Sequence, residues 1–80
     1  MTYEKEIKRN LEFVIRHRRG YLKDLSQEIG QVNVQRFANF GFINTGHTLK
    51  YETWSVTCLA KDYYIDTFGV FSYYWTKLFG

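Results

Sequence analysis

Sixteen aromatic side chains in eighty residues constrain this chain more than any other feature of its sequence. A chain of this length forms one domain, residues 1–80, and removes only about 60% of its unfolded surface from water on folding. Large side chains must therefore carry the core. Seven Phe, seven Tyr and two Trp supply the area, each burying roughly 150–250 Å² when covered. No intrachain disulfide can assist, because Cys58 stands alone. The tyrosines are the unusual part, since a packed core offers few partners for so many hydroxyls.

A chain that is 24% charged and 45% apolar is neither a disordered tail nor a collagen-like sequence. The lone cysteine and the absence of a charged-then-apolar leader predict a cytoplasmic, reducing setting. The most hydrophobic stretch, Phe68 to Trp75, falls far short of the ~20 residues that cross a bilayer, and no membrane partner is expected. His17, His47 and Cys58 lie far apart with no paired spacing, so neither a metal nor a cofactor is expected. Enzyme activity is not expected either. Ser26, Ser55 and Ser72 sit in no nucleophile-elbow context, and there is no glycine-rich phosphate loop. Cys58 has no basic neighbour in sequence and reads as a small buried hydrophobe.

The net charge of +3 is unevenly placed. Residues 1–36 hold eight Lys/Arg against five Asp/Glu, and residues 37–80 hold three against three. The excess is densest at Arg16-His17-Arg18-Arg19. A basic half suggests an anionic partner, of which nucleic acid is the commonest. The competing reading of the same run is stabilisation of a helix end by cations.

Helical periodicity predicts the first element from Tyr3 to Arg19, with Ile7, Leu11, Val14 and Ile15 on one stripe. Thr2 is the expected N-cap and Gly20 the left-handed C-cap. A second helix runs from Tyr21 to Glu28 or Ile29, with Leu22, Leu25 and Ile29 inward and Gly30 as its stop. A turn Gly30-Gln31-Val32 leads to Asn33 as N-cap of a third helix from Val34 to Phe40, ended by Gly41. Val34, Phe37, Ala38 and Phe42 point inward; Gln31, Asn33, Gln35, Arg36 and Asn39 lie on the polar side. Asn44-Thr45-Gly46-His47 reads as a turn cluster. Leu49 to Val56 reads as a strand, with a short partner at Phe42-Ile43. A helix from Cys58 to Phe68 follows, capped by Thr57, although Tyr63 to Thr67 alternatively reads as strand. After Gly69 a last helical stripe holds Val70, Phe71, Tyr74, Trp75 and Leu78. The fold class is α+β, mainly helical.

That order, with specific residues in it, resembles the winged helix-turn-helix superfamily over residues 5 to 68. In Leu22-Lys-Asp-Leu25-Ser26-Gln-Glu-Ile29-Gly30 the small Ser26 precedes the turn glycine by four, where close helix crossing needs a small side chain. Val32 and Phe37 match the apolar positions that lock the recognition helix. Gly41-Phe42-Ile43 is similar to the entry into a wing. Trp54-Ser55-Val56-Thr57, followed by Ala60-Lys61-Asp62-Tyr63, is similar to the exit from one. The chain departs from the tightest pattern in a turn lengthened by Gln31 and in a recognition helix whose one cation is Arg36.

The resemblance implies three N-terminal helices, a β-hairpin wing, one or two C-terminal helices, and duplex DNA as partner. On that frame Gln35 and Asn39 offer paired donors and acceptors to adenine. Arg36 binds guanine or clamps a phosphate. Gln31 and Asn33 meet phosphates at the helix start. His47 and Lys50 in the wing reach a minor groove or flanking phosphates. Arg16, Arg18, Arg19 and Lys23 add sequence-independent attraction. The small size and lack of an effector domain fit a regulator or accessory factor, as of a phage or mobile element.

Two other uses of the same residues stand beside this one. Exposed Tyr21, Tyr51 or Trp54 would stack the bases of single-stranded DNA, although Trp54 reads more readily as core. The stripe Val70, Phe71, Tyr74, Trp75 and Leu78 exceeds what so small a domain needs to bury, which suggests a homodimer or another protein partner.

Overall fold

Apolar stripes of helical period account for most of the architecture. In α1 (Tyr3–His17) Leu11, Val14 and Ile15 are buried, with Ile7 and Phe13 partly so. The computed structural model describes residues 3–79; Thr2, the expected cap of α1, lies outside them. The helix ends two residues earlier than its charge pattern predicts. Arg18, not Gly20, takes the left-handed conformation, at φ 71°, with its N–H bonded to the Val14 carbonyl at 2.9 Å.

Gly20 instead lies in β1 (Arg19–Tyr21), a strand with no counterpart in the sequence reading. It joins a three-stranded antiparallel sheet in the order β1-β3-β2. The other strands are β2 (Ile43–His47) and β3 (Glu52–Val56). The register puts Gly20 opposite Trp54, and Ile43 opposite Val56. A Cβ at Gly20 would stand 3.3 Å from the Trp54 indole nitrogen, so glycine leaves room for that ring. Trp54 on the central strand is only 4% exposed. The expected turn cluster Asn44 to His47 is strand. The hairpin turns instead over residues 48–51, where the Thr48 N–H meets the Tyr51 carbonyl at 2.7 Å.

Two helices precede the hairpin. α2 (Leu22–Ile29) and α3 (Gln31–Phe40) are separated by Gly30 alone, at φ 87° and ψ 148°. The turn is thus shorter than the three residues expected, and Asn33 is the third residue of α3, not its cap. Leu25, Ile29, Val34 and Phe37 close the core between these helices. Val32 is 65% exposed, so it does not lock α3 as expected; starting α3 at Gln31 leaves Val32 on its outer side.

α4 (Cys58–Phe68) is helical throughout, which excludes a strand at Tyr63 to Thr67. Thr57 occupies the N-cap position, but its hydroxyl donates to the Gly41 carbonyl across the fold and caps no helical N–H. Cys58, at the start of α4, is exposed and not buried. After Gly69 comes α5 (Val70–Phe79), which packs on α4 and α1. Tyr64 and Tyr73 are core residues. No described helix is long and apolar enough to cross a membrane.

Candidate nucleic-acid interface

One edge of α3 faces the hairpin across a groove of about 670 Å³. Val34, Gln35 and Ala38 form one wall, and residues 45–52, including His47 and Lys50, form the other. A second depression of about 360 Å³ holds Lys23 and Ser26 of α2 and Gln31 at the start of α3, together with Tyr21. Both hollows share Leu22, Lys50, Tyr51 and Glu52. The fold therefore brings Lys23, Gln31, Gln35, His47 and Lys50 onto one continuous surface, all of them exposed.

The chemistry of α3 suits an anionic, hydrogen-bonding partner. Its sequence QVNVQRFANF contains no carboxylate. No side chain caps its N-terminus, so the first-turn N–H groups and the positive end of the helix dipole remain available to an anion. Gln35 and Asn39 stand one turn apart, and Gln35 Nε2 donates to Asn39 Oδ1 at 3.3 Å. Arg36 is exposed on the same helix. Glu52 is the one carboxylate on the groove wall; it pairs in register with His47 on the neighbouring strand.

Four other expected contact residues lie away from this surface. Asn33 is half-buried, and its amide donates to the Ile29 carbonyl at 2.7 Å and to Glu6 at 3.3 Å. It ties α3 to α2 and α1 and does not present itself to solvent. Arg16 is exposed in the last turn of α1, beside His17, whose ring stacks on Phe13 at 4.0 Å. Arg18 and Arg19 enter the sheet at the end remote from the hairpin turn, because Arg19 pairs with Ser55 while Tyr21 pairs with Thr53.

No family model, curated protein or solved structure matches this chain.

Tyr21 and Tyr51 are exposed at the rim of the groove with ring centroids 5.2 Å apart. Trp54, the third candidate for stacking, is buried under β1. The hairpin tip, with Thr48 and Leu49, carries groove residues that the sequence reading missed. A signal existed in Thr48, whose hydroxyl closes the turn on Tyr51; short hydroxyl side chains favour such turns. The glycine at position 46 drew the turn four residues too early.

On α5, Val70, Phe71, Tyr74, Trp75 and Leu78 are all exposed, and the buried face is formed by Tyr73 and Thr76. Among the described residues no group of three or more His, Cys, Asp or Glu could hold a metal ion.

Proposed function

We propose that this chain is a winged helix-turn-helix DNA-binding protein, with α3 as the recognition helix and the β2–β3 hairpin as the wing. The observation that carries the reading is the shared groove. A carboxylate-free helix, exposing Gln31, Gln35, Arg36 and Asn39, sets Gln35 in a groove against a hairpin presenting His47 and Lys50. The helix, about 10–12 Å wide with side chains, suits a major groove of similar width. Gln35 and Asn39 exchange their mutual hydrogen bond for base edges, while Lys23, Lys50 and the α3 N-terminus take phosphates. The activity is binding, without catalysis, in a regulatory or accessory role; a cytoplasmic location and an origin in a phage or mobile element belong to the same reading.

Substitution tests the assignment. Gln35→Ala should weaken binding to a preferred duplex by about 1–3 kcal/mol and leave binding to unrelated duplexes nearly unchanged. Lys50→Ala should weaken both alike. Equal losses for the two variants would remove α3 from the reading role.

A second reading rests on the Tyr21–Tyr51 pair beside Lys23 and Lys50: stacking of single-stranded bases, worth about 1–3 kcal/mol per base. The exposed stripe of α5 supports self-association or a protein partner alongside either mode of DNA binding.

A further inference from the structure

A second basic site lies at the other end of the sheet. Where β3 runs into α4, a cavity of about 280 Å³ is lined by Ile15, Arg18, Val56, Thr57, Cys58, Lys61, Tyr73 and Lys77. Its three cations come from three separate places in the chain: the α1–β1 junction, α4 and α5. Among the described residues no carboxylate lines it. Among the described residues none of the three is paired with a carboxylate. They are also as many cations as the chain carries in excess of its acids. Like charges gathered at one concavity repel one another and focus a positive potential there.

The fold holds the backbone of Arg18 and the ammonium of Lys61. Arg18 is fixed at φ 71° with its N–H on Val14 and its carbonyl receiving the Val56 N–H at 2.7 Å. The Lys61 ammonium lies 5.6 Å from the centre of the Tyr73 ring. Holding the Lys61 ammonium beforehand lowers the entropy it loses on binding. The volume is below the ~300–1,000 Å³ of pockets for drug-sized ligands, and suits a small anion with its waters.

We infer that this cavity binds a phosphate-type oxyanion, either free phosphate or the phosphate of a small monoester, through Arg18, Lys61 and Lys77. The site is independent of the α3–hairpin groove, since β3 and β1 lead to it from the end opposite the hairpin turn. It assigns Arg18 to a small ligand instead of to DNA.

Cys58 lines the cavity and is exposed, so its alkylation by the neutral reagent iodoacetamide reports occupancy. Inorganic phosphate should slow the reaction severalfold relative to sodium chloride at equal ionic strength. The protection should be lost in the double variant Lys61→Gln, Lys77→Gln, whose substituted residues are both exposed. Protection at a lower concentration of glycerol phosphate than of inorganic phosphate would identify a monoester as the ligand, and the reverse would identify the free ion. Equal rates in phosphate and chloride would overturn the inference, as would full protection in the double variant. Protection by duplex DNA without protection by phosphate would also overturn it, by making the site a backbone contact. Should the variant fail to fold, amide shifts of the unmodified protein decide. Phosphate must move the signals of Arg18, Cys58 and Lys61, and unmoved signals reject the site.

Discussion

The Tyr64 hydroxyl donates a hydrogen bond to the Glu12 carboxylate at 2.7 Å, and the Thr76 hydroxyl lies 3.3 Å from the same oxygen. One fully buried tyrosine thus links α4 to α1 and to α5. The relationship explains how a core with so many phenol rings remains satisfied: the deepest of them has two polar partners. Tyr64→Phe should destabilise the fold by about 1–2 kcal/mol, because half-buried Glu12 and buried Thr76 lose a partner along with the hydroxyl. Urea denaturation measures it; an unchanged midpoint would show that the network contributes nothing.

The same hydroxyl makes stability depend on alkaline pH. Burial is the main cause that pushes its pKa from 10.0 to about 12; Glu12 adds to the rise and Thr76 opposes it. The folded state therefore holds the proton that the unfolded chain releases from about pH 10 upward. The contribution of Tyr64 is complete below pH 10 and is lost progressively between 10 and 12. The stability difference between the parent chain and Tyr64→Phe, followed across that window, should shrink. A difference that grows with pH would contradict the sign.

Phe37 and Phe40 lie on one helix in contrasting surroundings, 1% and 54% exposed. Phe37→Ala should cost about 3–5 kcal/mol through lost transfer energy and a cavity. Phe40→Ala, whose ring touches Phe42 at the surface, should cost under about 1 kcal/mol. Thermal denaturation of the two variants checks the ranking, and comparable losses would mean that α3 is rotated from the orientation described.

Gly30 holds a backbone conformation, φ 87° and ψ 148°, that side chains rarely adopt. The space around a Cβ there is empty, so Gly30→Ala isolates backbone strain, about 1–3 kcal/mol. Since this residue alone sets the angle between α2 and α3, the variant should also lose affinity for duplex DNA by more than its stability loss predicts. Retention of parental affinity in the folded variant would separate the turn from recognition.

The exposed stripe of α5 should hold protein to protein. Sedimentation equilibrium of the parent chain and of Trp75→Ala tests this, with a lower mass expected for the variant. Equal masses would reject a role for that face in self-association.

Helix positions were legible because apolar stripes and glycine stops coincide: Leu11, Val14 and Ile15 in α1, Gly30 after α2, Gly69 after α4. The strand β1 was not legible, since three residues centred on a glycine carry no period and gain their ladder only from β3. The hairpin turn was misplaced because Gly46, a turn residue by propensity, is drawn into the ladder opposite Thr53. Asn33 shows a limit of the site reading. Its polarity marked it as a surface contact, yet its amide is taken up by Ile29 and Glu6, a tertiary fact with no local signature. Arg16, Arg18 and Arg19 read as one basic run available to DNA, but a left-handed residue and a strand place Arg18 and Arg19 at the end of the sheet remote from the hairpin turn.

Duplex recognition by α3 and the hairpin is the central proposal. Its most direct test is the affinity of the parent chain for duplex and for single-stranded DNA at two salt concentrations. The prediction is tighter binding to duplex, weakening as salt rises because phosphate contacts release counterions. Absence of binding to duplex at low salt, or a clear preference for the single strand, would contradict it.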